Sequence, residues 1–165
     1  MTATSLTLPS TRWMSRITTL LATRDDVTLT FARLALGAVM FAHGAQKALG
    51  WFGGYGVSGT MGFFTQQMHI PALFAFLAIA AEFAGSLALL GGLTTRIAAL
   101  GILTNMIVAV LTTHASVGFF MNWYGQYPAG HEGFEYHILA AGLALILIVR
   151  GGGAFSIDRA VTRAA

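Results

Sequence analysis

The sequence predicts an all-α membrane protein, a four-helix transmembrane bundle with both termini cytoplasmic. Three observations predict it. Charged residues are only 9% of the 165-residue chain and hydrophobic residues 56%, whereas a soluble domain carries about 25% charged residues. Four apolar stretches approach the roughly 20 residues that a helix needs to cross a bilayer. The arginines gather on alternate connections, as cytoplasmic loops do.

Residues 1–27 form a Ser/Thr-rich arm whose apolar residues are spaced rather than clustered, unlike a cleavable signal peptide. Trp13, Met14, Ile17, Leu20 and Leu21 recur at helical spacing, with Arg12 and Arg16 off that stripe. This predicts a short amphipathic helix on the cytoplasmic surface, with a disordered arm as the alternative. A transmembrane domain follows over 28–150. Its first span runs from Thr28 to Leu49. The second runs from Ile70 to Leu93, with Pro71 in the first turn, where proline is tolerated. The third runs from Thr95 to Ser116, and the fourth, short by length, from Phe134 to Val149. Residues 151–165 form a cytoplasmic tail.

Arg12, Arg16 and Arg24 precede span one, Arg33 lies in its first turns, Arg96 opens span three, and Arg150, Arg159 and Arg163 follow span four. The loops Gly50–His69 and Val117–Gly133 hold no Lys or Arg. The positive-inside rule then puts both ends in the cytoplasm. The net charge of +3 reflects this placement, so nucleic-acid binding is not implied. The chain has no cysteine, which excludes disulfides, thiolate metal sites and cysteine redox chemistry. The two outer loops are rich in aromatics and glycine. They read either as an interfacial aromatic belt or as a structured cap, with Val57–His69 as a helix lying over the bundle.

Ionisable residues inside a span are costly and mark functional sites by default. His43 and Lys47, the only lysine, are four apart and share a helical face, on a stripe with Arg33, Leu36 and Met40. Glu82 lies roughly 18 Å from the outer surface, near the midplane, on a face with Ala75, Ala78, Gly85 and Ser86. Asn105 is near the midplane of span three, His114 near its outer end, and Glu135 and His137 open span four. The polar groups therefore collect between midplane and outer face. At about 100° per residue, Asn105 and His114 are half a turn apart, and Glu135 and His137 are about 200° apart. At most one of each pair then joins a central site. Glu135 is favoured over His137, and His114 is left open. A midplane carboxylate must be paired or protonated, which predicts a Glu82–Lys47 or Glu82–His43 pair. Such a pair either fixes helix register or handles protons beside a ligand. A metal at His43, His114, His131 and Glu135 fits by residue type but lacks a tight ligand spacing. No haem or flavin motif is visible.

Several segments together resemble the DoxX family of small four-span membrane proteins. They are His-Gly-x-Gln-Lys with Gly-Trp-Phe-Gly-Gly at 43–54, Gly-x-x-Gly-Phe-Phe at 59–64, Ala-Glu-Phe-x-Gly at 81–85 and Gly-Gly-Leu-Thr-Thr-Arg-Ile-Ala-Ala at 91–99. Phe-Phe-Met-Asn-Trp at 119–123, Gly-Phe-Glu-Tyr-His at 133–137 and Phe-Ser-Ile-Asp-Arg-Ala at 155–160 complete the set. The resemblance covers about Thr30 to Ala160. It implies a multi-pass protein of a bacterial or archaeal inner membrane, associated with oxidoreductase systems. The family's recurrent polar positions map onto His43, Gln46, Lys47, Glu82, Asn105, Asn122 and Glu135.

The leading expectation is a membrane subunit that binds a quinone or hydroquinone in an outer-leaflet pocket beside a redox partner protein. His43, Lys47 and Glu135 would hydrogen-bond the ring oxygens, Glu82 would exchange protons, and Trp51 and Trp123 would stack on the ring or gate the entrance. Gln46, Asn105 and Asn122 complete the expected ligand contacts. The alternatives are a non-catalytic membrane scaffold that recruits a redox partner and a small-solute carrier. Small-residue faces at Gly85 and Gly101 would permit a homo-oligomer.

Overall fold

A computed structural model describes residues 18–128 and 130–164. The residues that carry most of the expected amphipathic arm, Trp13, Met14 and Ile17, lie outside the described residues, and 18–21 are helical. Helix α1 is Val27–Leu49. The Asp26 carboxylate accepts the Thr28 N–H at 2.8 Å, satisfying an amide that the first turn leaves open. The helix stops at Gly50, whose φ of 74° is the left-handed cap that glycine adopts freely.

After a single 3₁₀ turn at Trp51–Gly53, helix α2 (Gly56–Gly62) runs into a π-helical turn, Phe63–Gln67. Helix α3 is Ala72–Gly91. Helix α4 (Thr95–Ala109) continues as a second π turn, Val110–His114. Helix α5 is Glu135–Arg150 and α6 is Ile157–Ala164. No strand occurs among the described residues.

Among the described residues three helices are long and apolar enough to cross a membrane: α1, α3, and α4 with its π turn, Thr95–His114. The fourth expected span, α5, has 16 residues. Helix α3 packs on α1 and α4, α4 packs on α5, and α5 returns to α1. Leu36, Met40, Leu89, Ile102, Met106, Ala144 and Leu147 form the core between them. Phe31, Phe74, Leu77, Leu111, Leu139 and Val149 point outward and are exposed. An apolar exterior of this extent suits lipid and not water.

All the described arginines cluster at one end of the bundle. Arg33, 1% exposed, donates to the carbonyls of Leu89, Leu90, Gly152 and Phe155. Two of those carbonyls close α3, where cations are favoured. Arg96 donates to Ala22 and Ile148 carbonyls. Asp158 of α6 accepts the Thr94 and Thr95 amides at 2.6 and 2.8 Å, capping α4 from across the chain. Asp25 pairs with Arg159 and Arg163. The start of α1, the α3–α4 turn and the C-terminal segment are thereby tied together, and the polar cluster of His43, Lys47 and Glu82 is left toward the other end.

Candidate functional site

The site begins with a close helix approach. At Gly44 an added methyl group would meet the backbone nitrogen and α-carbon of Phe83 at 2.7 Å, so only glycine lets α1 and α3 come this near. One turn further on, Lys47 Nζ donates to Glu82 Oε2 at 2.6 Å. The pair is enclosed, the Glu82 side chain being 9% exposed and that of Lys47 28%. The Thr60 hydroxyl donates to the Lys47 carbonyl at 3.2 Å, fastening α2 over this end of α1.

Beside the pair lies a cavity of ≈ 420 Å³. Its apolar wall includes Met40, Met106 and Met121. Phe63, Phe64, Met68 and Ile70 line it from the segment between α2 and α3. The segment after span one thus folds as a helix and its π turn over this end of the bundle, as the cap expectation has it. The polar lining is His43, Lys47, Glu82, Asn105, Thr112, Thr113, His114, Glu132, Tyr136 and His137. Asn105 Nδ2 donates to the Ala78 carbonyl at 2.7 Å, pinning α4 to α3. The Tyr136 hydroxyl donates to Met40 Sδ at 3.3 Å.

Two phase expectations change. Asn105 and His114 both line the cavity, although a straight α-helix would put them on opposite faces. The π turn at Val110–His114 widens the helix where His114 sits and shifts its phase, as π turns at functional sites often do. His137 lines the cavity and Glu135 does not, the reverse of the sequence preference. The reason is local. The Glu135 carboxylate takes the Trp123 indole N–H at 2.6 Å and the Met121 amide at 3.0 Å, so it turns back into the loop.

The His114 and His137 rings lie 4.2 Å apart. His114 Nδ1 is 2.6 Å from the Glu132 carbonyl oxygen. Neither nitrogen of His137, 7% exposed, has a hydrogen-bond partner among the described residues, and its Nδ1 is fully enclosed.

Of the expected site residues, His43, Lys47, Glu82 and Asn105 share the cavity. Gln46, Trp51, Asn122, Trp123 and Glu135 do not line it. Gln46 donates to the Phe52 carbonyl, Asn122 exchanges hydrogen bonds with Tyr127, and Trp51 and Trp123 are exposed. Sequence reasoning missed Tyr136 and Glu132. Tyr136 lies next to His137 and carries no polar periodicity of its own. Glu132 enters from a loop, where spacing carries no direction. Among the described residues no three His, Asp, Glu or Cys side chains converge as a metal site.

A protein-family model described as DoxX matches residues 28–115, the part of the chain that holds Lys47, Glu82, Asn105 and His114. No curated protein and no solved structure matches the chain.

Proposed function

The chain belongs to the DoxX family, and on that premise we propose that it is a membrane subunit of an oxidoreductase system that binds a quinone or hydroquinone in the cavity beside Lys47 and Glu82. One observation carries the reading: a single cavity of ≈ 420 Å³ combines thioether and aromatic walls with a polar lining of Lys47, Glu82 and three histidines. Ligand sites are typically of this size and kind, about 300–1,000 Å³, largely apolar, with a few placed polar groups.

In this reading the apolar wall holds the ring. Lys47, a donor only, hydrogen-bonds one ring oxygen, and Glu82 and His43 exchange protons with the bound molecule. A redox partner protein supplies or takes the electrons. The proposed setting is an inner membrane crossed four times, with α5 as the fourth span and both ends cytoplasmic. The arginine cluster at one end of the bundle supports that orientation.

The test is equilibrium binding of a short-chain quinone and its hydroquinol to the purified protein in detergent, with mass spectrometry of copurifying lipid-soluble molecules. Binding by the wild type that weakens about tenfold in Glu82→Gln, a loss of about 1.4 kcal/mol, supports the reading. Equal binding in both moves the site elsewhere, and no binding in either overturns the reading.

A further inference from the structure

We propose that the His114–His137 end of this cavity is a hydroxyl-receiving subsite, which makes the site selective for the phenolic, reduced form of its ligand over the quinone. The inference rests on the reading of the cavity as a quinone or hydroquinone site and adds which of the two forms it holds.

The argument starts from His114. Its Nδ1 lies 2.6 Å from the Glu132 carbonyl oxygen. A carbonyl oxygen only accepts, so Nδ1 carries the hydrogen and donates it. In a neutral imidazole the other nitrogen, Nε2, is then a bare acceptor, and it makes no hydrogen bond among the described residues. His137 stands against it, with ring centroids 4.2 Å apart and a 42° tilt. That ring is 7% exposed and neither of its nitrogens is partnered among the described residues. Two imidazolium rings so close, inside apolar walls, repel each other, so at least one ring is neutral and offers an acceptor.

Nothing nearby fills that acceptor. The Tyr136 hydroxyl donates to Met40 Sδ at 3.3 Å, the Thr112 hydroxyl to the Val108 carbonyl at 2.8 Å, and the Thr113 hydroxyl lies 3.4 Å from that of Thr112. Lys47 is engaged with Glu82 at 2.6 Å. Buried polar groups in native proteins are normally satisfied, so the enclosed, unpartnered His137 and the half-buried His114 beside it, both lining the cavity, call for a ligand that brings a hydrogen.

A quinone cannot supply one. Both of its oxygens only accept, so one of them can take the N–H that a neutral His137 keeps but leaves the His114 Nε2 acceptor without a bond. A hydroquinol, or a simple phenol, donates its O–H to the histidine end. A hydroquinol's second oxygen accepts from Lys47 at the other. Leaving a buried acceptor unsatisfied weakens binding by about 5- to 150-fold.

The experiment is an anaerobic titration of the full chain in detergent with a short-chain hydroquinol, the matching quinone and the hydroquinol dimethyl ether, which has the same ring but no donor. At least tenfold tighter binding of the hydroquinol than of either other ligand is expected. His114→Phe, which keeps a planar ring, should narrow that preference to about twofold, and His137→Phe is the second variant should the first not fold. Equal binding of hydroquinol and quinone by the wild type overturns this inference and leaves the quinone-site reading standing. Binding of none of the three overturns both. A preference that persists undiminished in His114→Phe and His137→Phe overturns the assignment to the histidines.

Discussion

Gly44 of α1 rests directly on the backbone of Phe83 in α3, where a methyl group would come within 2.7 Å of the Phe83 nitrogen and α-carbon. This contact, and not the ion pair beside it, sets the helix spacing that lets Lys47 reach Glu82. Gly44→Ala must therefore move backbone against backbone, with no flexible side chain to yield. Overpacking of this kind costs typically 1–3 kcal/mol. A fall in thermal stability of that order is expected, together with weakened ligand binding. A Gly44→Ala protein with unchanged melting would mean that the two helices slide apart freely.

The Lys47–Glu82 pair predicts an asymmetric mutational pattern. Removing one partner strands the other in a largely enclosed site, which costs about 3–5 kcal/mol for a fully buried pair. The partial exposure of Lys47 places the expectation lower, at about 2 kcal/mol. Removing both, as in Lys47→Met with Glu82→Leu, should recover most of that loss. A double-mutant cycle by thermal unfolding reads the coupling. A double variant that loses the sum of the single effects would show the two groups to be independent.

Much of this pairing was legible in the sequence because helical spacing alone aligns His43 with Lys47 and gives Glu82 its depth. Three departures from regular α-helix or from helix altogether hid the rest. The π turn at Val110–His114 rotates His114 into the cavity against its α-helical phase. The loop amide and indole that claim Glu135 leave His137 facing inward. Glu132 reaches the cavity through a loop whose path depends on tertiary hydrogen bonds, including the Asn122 amide on its own carboxylate at 2.7 Å. The short α5 blurred the span count for the same reason, since its N-terminal end is held by loop backbone, Glu135 N–H to the Phe119 carbonyl at 2.9 Å, and not by further apolar helix.

Arg33 shares the stripe of His43 and Lys47 but serves the opposite end of the bundle. Its guanidinium satisfies carbonyls at the end of α3 and in the segment that precedes α6. Arg33→Met removes the donor from the Leu90, Gly152 and Phe155 carbonyls, while Leu89 keeps the Gly92 amide, and a loss on the order of 3 kcal/mol is expected. Arg33→Lys should recover less than half of it, because an ammonium on a flexible stem lacks the planar fork that serves several acceptors at once. Thermal melts of the three proteins decide the matter. Equal stability of Arg33→Lys and wild type would reduce the role of Arg33 to its charge.

Asp26 gives the fold an acid-sensitive end. The Thr28 side-chain hydroxyl and then the Thr28 amide hold the Asp26 carboxyl below its ordinary value. A depressed folded pKa means that the carboxylate contributes stability above the unfolded value of about 3.9, and that this contribution is lost as pH falls through the lower folded value. Asn is as good an N-cap as Asp but does not titrate. Wild type and Asp26→Asn should therefore match closely at pH 7, and wild type alone should lose this increment in acid melts.

Whether α5 crosses the bilayer follows from its length and its ends. Sixteen residues at 1.5 Å each span about 24 Å, short of a hydrocarbon core of about 30 Å. Arg150 at its last position can extend its guanidinium to the interface, and an aromatic loop at headgroup level at its other end would make the shortfall small enough to bridge. A cysteine-free chain makes the test clean. Single cysteines at the exposed positions Gln126 and Ala160 flank α5, and an impermeant maleimide applied to intact cells reports the side of each. Labelling of Gln126→Cys in intact cells, with Ala160→Cys labelled only after permeabilisation, is expected for four spans with a cytoplasmic C-terminus. Labelling of both from the same side would leave a three-span protein with α5 packed on one leaflet, and the arginine cluster would then no longer mark a single cytoplasmic face.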